Sequence, residues 1–457
     1  MQVALVGLGV MGKNLALNLI EKGITLVAYD KNPHAGEELI SCAKSQGMAD
    51  KLHIVSDLGD MVRRLEAPRS ILLLVPAGEL VDTVCNELVN AGVECDDIIV
   101  DCGNSNYKDG ITRKLKYQNT FEFATMGISG GAEGARHGPA MMASGSEGGW
   151  ERIEPWFEKV AASYNGSSCF ARVGQSASGH FVKMVHNGIE YALMQLIAEM
   201  YQLLRSGTNR SPKEVAAIFD EWSQGQLNSY LLSISSHILT LENDKNEPLV
   251  DLIDNKVGAK GTGLWTAQNA LELGIAVPSL VAAVQARHLT NACDTTAAQE
   301  MTYASKSTNI VDIDLVELKD AFTLASLLAY RQGLALIKGA SRTHQWKVDL
   351  SKTLQTWRAG CIIRADYLDS VAQGVEFIDS LDKEANALRK ITGQAVMSGL
   401  AFPVLSSTQT YLATLTTPSN GHLVQAQRDY FGEHGIKTHS GETCHLTDLV
   451  EIDAKVR

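Results

Sequence analysis

The sequence lacks the features of secreted, membrane and nucleic-acid-binding proteins. Its eight cysteines are scattered, with no CxxC pair and no regular spacing, which predicts reduced thiols in a cytoplasmic protein. No apolar run approaches the roughly 20 residues of a membrane span, and strand-like residues follow Met1 directly, without the basic segment of a signal peptide. Basic residues are in deficit, 40 against 52 acidic, and the net charge of −12 argues against binding to nucleic acid or anionic membranes.

Length and composition are those of an ordinary globular protein. With 457 residues, 45% of them hydrophobic and 20% charged, the chain can form two or three domains with substantial cores. No low-complexity segment and no short-period repeat interrupts it.

A glycine-rich segment lies near the start, between a strand-like run and a helical pattern. Residues 2–6 read QVALV, and the segment after them is Gly7-Leu8-Gly9-Val10-Met11-Gly12. Gly7 permits a tight turn, Gly9 lets the backbone approach a pyrophosphate, and Gly12 allows close packing of helix on strand. The N-terminus of the helix then faces the phosphates. This context predicts a dinucleotide-binding site.

The next strand-like run, ITLVAYD, ends at Asp30, 18 residues after Gly12. An acidic residue there accepts hydrogen bonds from the ribose hydroxyls of adenosine and repels a 2′-phosphate, so we expect NAD to be preferred. Lys31 follows immediately and could compensate in part, which leaves NADP as the alternative. Asp30 could also be a simple turn residue.

Further strand-like runs lie at 70–75, 97–101, 121–128 and 167–174, with helical patterns between the earlier ones. Strands that alternate with helices predict an α/β fold with a Rossmann-type, doubly wound parallel sheet. Ligands bind at the carboxyl ends of such strands. Two polar segments follow strands here: Gly103-Asn104-Ser105, and Ser129-Gly130-Gly131, whose hydroxyl and backbone amides suit a carboxylate. A plain tight turn is the other interpretation of the second segment.

A long helical pattern begins at Ser178, and a polar stripe interrupts its apolar surroundings. The stripe consists of Lys183, His186, Asn187 and Glu190, at positions i, i+3, i+4 and i+7, with Tyr191 beside it. Burial lowers the pKa of a lysine and raises the pKa of a glutamate, so this pair could act as base and acid near neutral pH. For a helix considered alone, a solvated surface stripe is the alternative.

Helical patterns dominate the remainder, for example at 212–242 and 320–344. We predict a Rossmann-type domain over 1–176, a large all-α domain over 177–434 and a short C-terminal tail over 435–457. The tail is expected to be extended, because periodicity is lost near Gly435. In the helical domain, Lys260 and Thr262 lie in a small basic loop and Arg287 in a helix. A turn and a surface salt bridge are the simpler interpretations of these residues.

Eight segments occur in a set order as far as about residue 434: VALVGLGVMGKNLALN, ILLLVPAGELVD, DCGNSNYKD, GISGGAEGARHGP, GHFVKMVHNGIEY, GAKGTGLWTAQNALE, WRAGCIIR and QAQRDYFGEH. Together they resemble the decarboxylating 6-phosphogluconate dehydrogenases of the β-hydroxyacid dehydrogenase superfamily. The fifth, sixth and eighth are highly specific in combination. The resemblance implies a cytoplasmic, homodimeric enzyme of the pentose phosphate pathway.

The resemblance also implies a mechanism for the polar stripe. Lys183 would remove the proton of the C3 hydroxyl of 6-phosphogluconate while the C3 hydride passes to the nicotinamide, and its ammonium would then polarise the 3-keto acid that loses carbon dioxide. Glu190 would protonate C1 of the resulting enediol, giving ribulose 5-phosphate. No cluster of Asp, Glu or His suggests a divalent metal, so we expect metal-independent chemistry.

Binding residues follow from the same resemblance. Cofactor contacts would come from the glycine-rich segment and from Asp30, Lys31, Val75, Pro76, Ala77 and Asn104. The substrate carboxylate and hydroxyls would be held by Asn104, Ser129, Gly130, Gly131, Lys183, His186, Asn187 and Glu190. The phosphate would be held by Tyr191, Lys260, Thr262 and Arg287, with Arg428 and His434 supplied by the second subunit of a shared active site. His186 and Asn187 would also assist catalysis.

Several positions depart from the family pattern. Asp30-Lys31 stands where NADP-using relatives carry Asn-Arg, which strengthens the prediction of NAD. Pro76 and Leu264 each replace a lysine, and Ala132 replaces a glutamate. Segment 289–311 and the shorter tail diverge as well. These departures leave the fine specificity open.

Other functions are compatible with parts of this pattern. A gluconate with a sulfonate at C6 could occupy the same cations, whereas a shorter 3-hydroxy acid would leave them unpaired. A ligand sensor that has lost catalysis is expected to lack Lys183 or Glu190, and both are present.

Overall fold

The computed structural model describes residues 2–292, 312–372, 381–417 and 420–449. The chain divides into two compact units, Met1–Thr408 and Gln409–Arg457. The first unit begins with an eight-stranded sheet and continues as a large helical region. The fold class is therefore the predicted one, a Rossmann-type sheet followed by helices.

The strands follow the predicted runs, with two additions to the main sheet and one outside it. They are β1 Gln2–Val6, β2 Thr25–Tyr29, β3 Leu52–Ile54, β4 Ser70–Leu73, β5 Ile98–Asp101, β6 Glu122–Ser129, β7 Ala140–Ser144, β8 Ser163–Tyr164, β9 Ser167–Ser168 and β10 Phe170–Gly174. Strands β8 and β9 form a separate hairpin, and the sheet order is β10-β7-β6-β5-β4-β1-β2-β3. Only β6 and β7 are antiparallel neighbours in it. The sequence did not predict β3 or β7. The residues of β7, AMMAS, include no β-branched or aromatic side chain, so pairing with β6 and β10 rather than propensity forms this strand.

Helices cover both faces of the sheet and make up the region after it. They are α1 Val10–Glu21, α2 Pro33–Ser45, α3 Leu58–Arg64, α4 Glu79–Ala91, α5 Tyr107–Tyr117, α6 Gly131–His137, α7 Glu147–Glu151, α8 Glu154–Val160, α9 Ser178–Gln202, α10 Pro212–Ser223, α11 Tyr230–Thr240, α12 Thr262–Glu272 and α13 Pro278–Ala292. Further helices span Leu315–Thr343, Leu350–Thr356, Leu368–Ala372, Asp382–Met397 and Pro403–Thr416. The pattern at 212–242 is thus two helices. Within the described residues, no helix is long and apolar enough to cross a membrane.

The sheet is doubly wound around β1. Val3 and Leu5 point into one apolar core, and Ala4 and Val6 point into a second core on the opposite face. The chain runs from β1 outward to β3 and then returns to place β4 on the other side of β1. Such a switch point opens a crevice at the carboxyl ends of the two central strands, where ligands bind.

The C-terminal unit contains more regular structure than the sequence predicted. After the helix Gly421–Gly432, the strands Ile436–Lys437 and Thr443–Cys444 form a hairpin, and a single helical turn spans Leu446–Leu449. The carboxylate of Asp429 accepts hydrogen bonds from the Gly435 and Leu446 backbone N–H groups at 2.7 Å and from the ring of His445 at 2.8 Å. The prediction of an extended tail is therefore wrong over 436–449. Elements of two to four residues are too short to show periodicity.

A buried carboxylate on α9 caps a later helix. Glu199 accepts hydrogen bonds at 2.9 Å from the backbone N–H groups of Val404 and Leu405, in the first turn of Pro403–Thr416. Burial nevertheless raises the pKa of Glu199 to about 7, against hydrogen bonds that lower it. Because the folded-state pKa lies above the ordinary value of 4.5, the stability that this group contributes is complete below pH 4.5 and is lost as the pH rises to about 7.

We expect Glu199→Gln to remove this pH dependence. Between about pH 5 and pH 7.5, the wild-type free energy of unfolding should fall relative to that of the variant by about 2–3 kcal/mol. Urea unfolding of both proteins across this range measures the difference. Parallel curves for the two proteins would contradict the assignment.

Candidate active site

A cleft of about 1070 Å³ lies at the carboxyl ends of the sheet strands. It collects the loops after β1, β4, β5 and β6 together with α9, the loop before α12, and α13. Its lining includes Gly9, Val10, Met11, Gly12, Val75, Pro76, Ala77, Asn104, Ser129, Gly130, Gly131, Lys183, Asn187, Glu190, Tyr191, Lys260, Thr262 and Arg287. All of these were predicted site residues. The other predicted residues of the first unit are outside this lining. Gly7 and Leu8 precede it in the chain, Asp30 contacts Leu8, and His186 contacts Ser129 and Asn187. Lys31 is the exposed neighbour of Asp30.

The glycine-rich segment has the geometry that a dinucleotide needs. Gly7 has a φ of +99°, and a Cβ there would meet the Leu74 carbonyl oxygen at 2.5 Å. A Cβ on Gly12 would lie 2.0 Å from the carbonyl oxygen of Gly7, so the start of α1 packs directly on the loop. A Cβ on Gly9 would meet nothing within 4 Å, which leaves this backbone open to an approaching ligand.

Asp30 joins the end of β2 to this loop. Its Oδ2 accepts a hydrogen bond from the Leu8 N–H at 2.6 Å, and its Oδ1 accepts one from the Asn32 N–H at 2.8 Å. One basic side chain of α1 and one of α2 both contact Glu38. Lys13 Nζ lies 3.0 Å from Glu38 Oε2, and His34 Nε2 lies 3.3 Å from Glu38 Oε1. Lys31 is exposed.

Helix α9 lies very close to the sheet at the position of Lys183. A Cβ on Gly127 of β6 would lie 2.3 Å from Lys183 Cβ, and one on Gly179 would lie 2.4 Å from the carbonyl oxygen of Met142 in β7. Lys183 Nζ donates a hydrogen bond to Asn187 Oδ1 at 2.8 Å. Burial lowers the pKa of Lys183 to about 8, and the charge of Glu190 opposes this shift. A neutral amine is therefore accessible near physiological pH.

His186 is completely buried and connects two cleft residues from behind. Its Nε2 lies 3.2 Å from Ser129 Oγ, and its Nδ1 lies 3.1 Å from Asn187 Oδ1. Burial, and then the charge of Lys183, hold the pKa of His186 well below its ordinary value, so the ring is neutral. A neutral ring can donate from one nitrogen and accept at the other. His186 therefore orients Ser129 and Asn187 and does not itself line the cleft.

Glu190 lies two turns along the helix from Lys183. Its Oε2 is 3.9 Å from His186 Nδ1, and 22% of its side chain is exposed, on the cleft side. Burial raises the pKa of Glu190, with the charges of Lys183 and Arg287 acting in the opposite direction. A carboxylic acid and an amine with pKa values moved toward neutrality thus face one cavity.

Two cations lie at the end of the cleft formed by α12 and α13. The Arg287 guanidinium stacks 3.3 Å from the centre of the Tyr191 ring, and its Nη1 donates to the carbonyl oxygen of Gly258 at 3.2 Å. Lys260 is exposed in the loop before α12. Thr262 is buried, and its hydroxyl accepts a hydrogen bond from Asn187 Nδ2 at 3.1 Å. The arrangement suits an anionic group that carries more than one charge.

Two predicted residues belong to the C-terminal unit, and one divergent segment is largely outside the described residues. Arg428 belongs to the C-terminal unit, on the helix Gly421–Gly432, and its Nη1 lies 3.3 Å from Gln425 Oε1. His434 follows that helix, with its ring 6.2 Å from the ring of Phe431. Their place in a shared site stays a prediction. The divergent segment 289–311 falls outside the described residues from 293 onward.

The loop formed by residues 357–362 also contributes to the cleft, although none of its residues was predicted as a site residue. Ile362 lines the cleft, and the Gly360 carbonyl oxygen lies 2.4 Å from where a Cβ of Gly130 would be. The same carbonyl accepts the Ala140 N–H at 2.9 Å. The segment WRAGCIIR covers this loop; it contributed to the family resemblance, but no function was predicted for its residues.

Among the residues that the structure describes, no three His, Cys, Asp or Glu side chains converge to hold a metal ion.

Fold and site together define an oxidoreductase with a Rossmann-type domain for NAD or NADP and a helical region that completes the cleft. The chain belongs to the 6-phosphogluconate dehydrogenase family. Residues 2–174 match the NAD binding domain of 6-phosphogluconate dehydrogenase, and residues 179–448 match the C-terminal domain of this family.

Relatives match over nearly their whole length. The chain is 37% identical to a decarboxylating 6-phosphogluconate dehydrogenase from Bacillus licheniformis, over 98% of this chain and 99% of the relative. It is 35% identical to an NADP-dependent decarboxylating 6-phosphogluconate dehydrogenase from Bacillus subtilis, over 95% and 96%. A 6-phosphogluconate dehydrogenase structure from Plasmodium falciparum, studied with NADP and with 6-phosphogluconate, superposes with a TM-score of 0.90 at 32% identity, covering 97% of this chain and 99% of that chain.

Proposed function

We propose that this protein catalyses the oxidative decarboxylation of 6-phospho-D-gluconate to D-ribulose 5-phosphate and carbon dioxide, with NAD as the preferred oxidant. The observation that carries the proposal is the placement of Lys183, with a pKa of about 8, in the same cleft as the glycine-rich loop. Family membership supports the substrate. The two cations Lys260 and Arg287 at one end of the cleft support the recognition of the substrate phosphate.

The neutral amine of Lys183 takes the proton of the C3 hydroxyl as the hydride leaves C3. NAD, when bound, accepts that hydride. The C1–C2 bond of the resulting 3-keto acid then breaks, its electrons form an enediol, and the Lys183 ammonium returns its proton to the C3 oxygen. Glu190 delivers a proton to C1 of the five-carbon enediol while the C2 hydroxyl loses its proton to solvent, which leaves the ketone of ribulose 5-phosphate, and solvent then restores the proton of Glu190. Lys183 thus supplies the polarisation for which a metal ion is used elsewhere.

Orientation of the substrate is assigned to the groups around this pair. Asn104, Ser129 and the backbone of Gly130 and Gly131 would bind the carboxylate, since bare amides at a turn attract anions. Asn187 holds Lys183 through its carbonyl oxygen and Thr262 through its amide, so its position is determined from both sides. We also propose a homodimer in which Arg428 and His434 of a second copy complete the phosphate site.

The side chains around Asp30, where the adenosine of the cofactor would bind, favour NAD over NADP. The residues present fit the dinucleotide, because the Gly9 backbone is open and the N-terminus of α1 faces the cleft. Asp30 carries a carboxylate where a 2′-phosphate would lie, and Glu38 already pairs with Lys13 and His34. A 2′-phosphate would therefore meet the Asp30 carboxylate, and of these basic residues only the exposed Lys31 would be left to balance it.

Turnover of 6-phosphogluconate with NAD and with NADP, followed by absorbance of the reduced cofactor, tests the proposal. We expect fast reduction of NAD and little of NADP, unchanged by a metal chelator. Turnover of C6-sulfonated gluconate alone would reassign the substrate while keeping the chemistry. Binding of both ligands without turnover with any of these acids would indicate a sensor and overturn the proposed activity.

Replacement of Asp30 by asparagine is expected to shift the cofactor preference. Asparagine keeps an oxygen for the Leu8 N–H but loses the charge that repels a 2′-phosphate, so the ratio of kcat/KM for NAD over NADP should fall by about tenfold or more. Glu37→Gln is the matched control, because Glu37 is an exposed acid on α2 and its replacement changes the net charge equally. An unchanged ratio in Asp30→Asn, or an equal fall in Glu37→Gln, would contradict the role of Asp30.

A further inference from the structure

A buried polar cluster with two charged members lies directly behind the cleft and has no part in the chemistry described above. It consists of Asp101 at the end of β5, Arg113 on α5 and His180 on α9, which are 0%, 3% and 2% exposed. Asp82 on α4 lies at its edge. Burying charges in this way is unfavourable unless each is paired, so the arrangement calls for a structural or functional reason.

Arg113 contacts the loops that follow two different strands. Its Nη2 donates at 2.8 Å to the Gly78 carbonyl oxygen, directly after the cleft residues Val75, Pro76 and Ala77, and also at 2.8 Å to Asp82 Oδ2. Its Nη1 lies 3.6 Å from Asp101 Oδ2. The planar guanidinium therefore joins the loop after β4 to the end of β5.

Asp101 extends this connection in two directions. Its Oδ1 accepts the Gly103 N–H at 3.0 Å, which fixes the turn that presents Asn104 to the cleft. Its backbone carbonyl oxygen accepts a hydrogen bond at 2.9 Å from Nε2 of His180. His180 lies on α9, three residues before Lys183.

We propose that Arg113 is a positioning residue that holds the two cofactor loops, after β4 and after β5, in register with the helix that carries the catalytic base. The assignment rests on the proposed function for the identity of those loops and of the base. Arg113 is not among the residues that line the cleft. It acts through Gly78, Asp82 and Asp101. Without its guanidinium, the loops after β4 and β5 would no longer be held in place to bind the dinucleotide.

Arg113→Lys tests this role, because a lysine keeps the charge but cannot reach Gly78, Asp82 and Asp101 together. We expect the Kd for NADH, measured by fluorescence of the purified full-length chain, to rise about tenfold, since sub-ångström to ångström displacements in a binding loop have effects of this size. The KM for the nicotinamide cofactor should rise in parallel. NADH binding requires no sugar acid, so this result is independent of whether 6-phosphogluconate is the substrate.

Arg69→Lys is the matched control. Arg69 forms a part-buried ion pair with Asp97 at 2.9 Å. This pair joins the N-terminal ends of β4 and β5, whereas the cleft lies at the carboxyl ends of the strands. Arg69→Lys should lower thermal stability and leave the Kd for NADH unchanged. Asp82→Asn, a milder change at a half-buried position, should shift the Kd in the same direction as Arg113→Lys and serves if that variant does not fold. Equal Kd values for wild type, Arg113→Lys and Asp82→Asn would show a purely structural role and overturn the proposal.

Discussion

Lys183→Met is expected to reduce kcat for 6-phosphogluconate oxidation by about 10³–10⁴-fold, at the upper end of the effect of one general base, because the same amine serves two steps. Methionine fills a similar volume and needs no solvation, so burial should not destabilise the variant. Initial rates with saturating cofactor and substrate measure the effect. Retention of more than about a tenth of wild-type kcat would exclude Lys183 as the base.

Lys183→Arg separates charge from proton transfer. Arginine keeps a positive charge, but its high pKa prevents it from acting as a base at neutral pH. We expect its activity to be as low as that of Lys183→Met. Both variants should bind NADH with wild-type Kd, because Lys183 lies outside the glycine-rich loop; weakened cofactor binding would instead point to a misplaced α9.

The dependence of kcat/KM on pH is a second test of Lys183 as the base. Lys183 must be neutral to accept a proton, and its pKa is about 8. The value of kcat/KM should therefore be low in acid and rise as the pH increases through about 8, where the amine loses its proton. A rise centred near the ordinary pKa of a histidine would assign the base to another residue.

The fold and much of the site followed from local patterns. The context of the glycine-rich segment identified the first strand and helix, and the alternation of strands and helices indicated the doubly wound sheet. The polar stripe from Lys183 to Glu190 was visible because helical spacing places both residues on one face, and the cleft contains both. The role of each residue came from the resemblance, since spacing alone cannot tell a base from a solvated lysine.

Contacts between distant segments could not be read in the same way. Arg113 appears in the sequence as one of several basic residues of α5. Its contacts with Gly78 and Asp82, which follow β4, depend on β4 and β5 being neighbours in the sheet. The sequence around Gly127 did not predict its role either, although the lack of a side chain there lets α9 approach β6 at Lys183. Side-chain identity is local, whereas such packing is a property of the assembled fold.

Glu190→Gln is expected to lower kcat by about 10²–10³-fold while leaving the earlier steps largely intact. Glutamine preserves the shape of the side chain and cannot donate a proton to C1 of the enediol. Hydride transfer and decarboxylation precede that protonation. A rapid-mixing experiment should therefore show a burst of about one equivalent of reduced cofactor per active site, followed by slow turnover.

The same variant should also move the pH profile of Lys183. The charge of Glu190 raises the pKa of Lys183, so its removal lets burial lower that pKa below about 8, and the rise in kcat/KM shifts to lower pH. Glu199→Gln is the matched control, because it replaces a second glutamate on α9, one whose partners are the backbone N–H groups of Val404 and Leu405. It should change the pH dependence of unfolding and neither the burst nor the kinetic profile. A Glu190→Gln enzyme without a burst, with its first turnover as slow as later ones, would place Glu190 before decarboxylation and refute its role as the final acid.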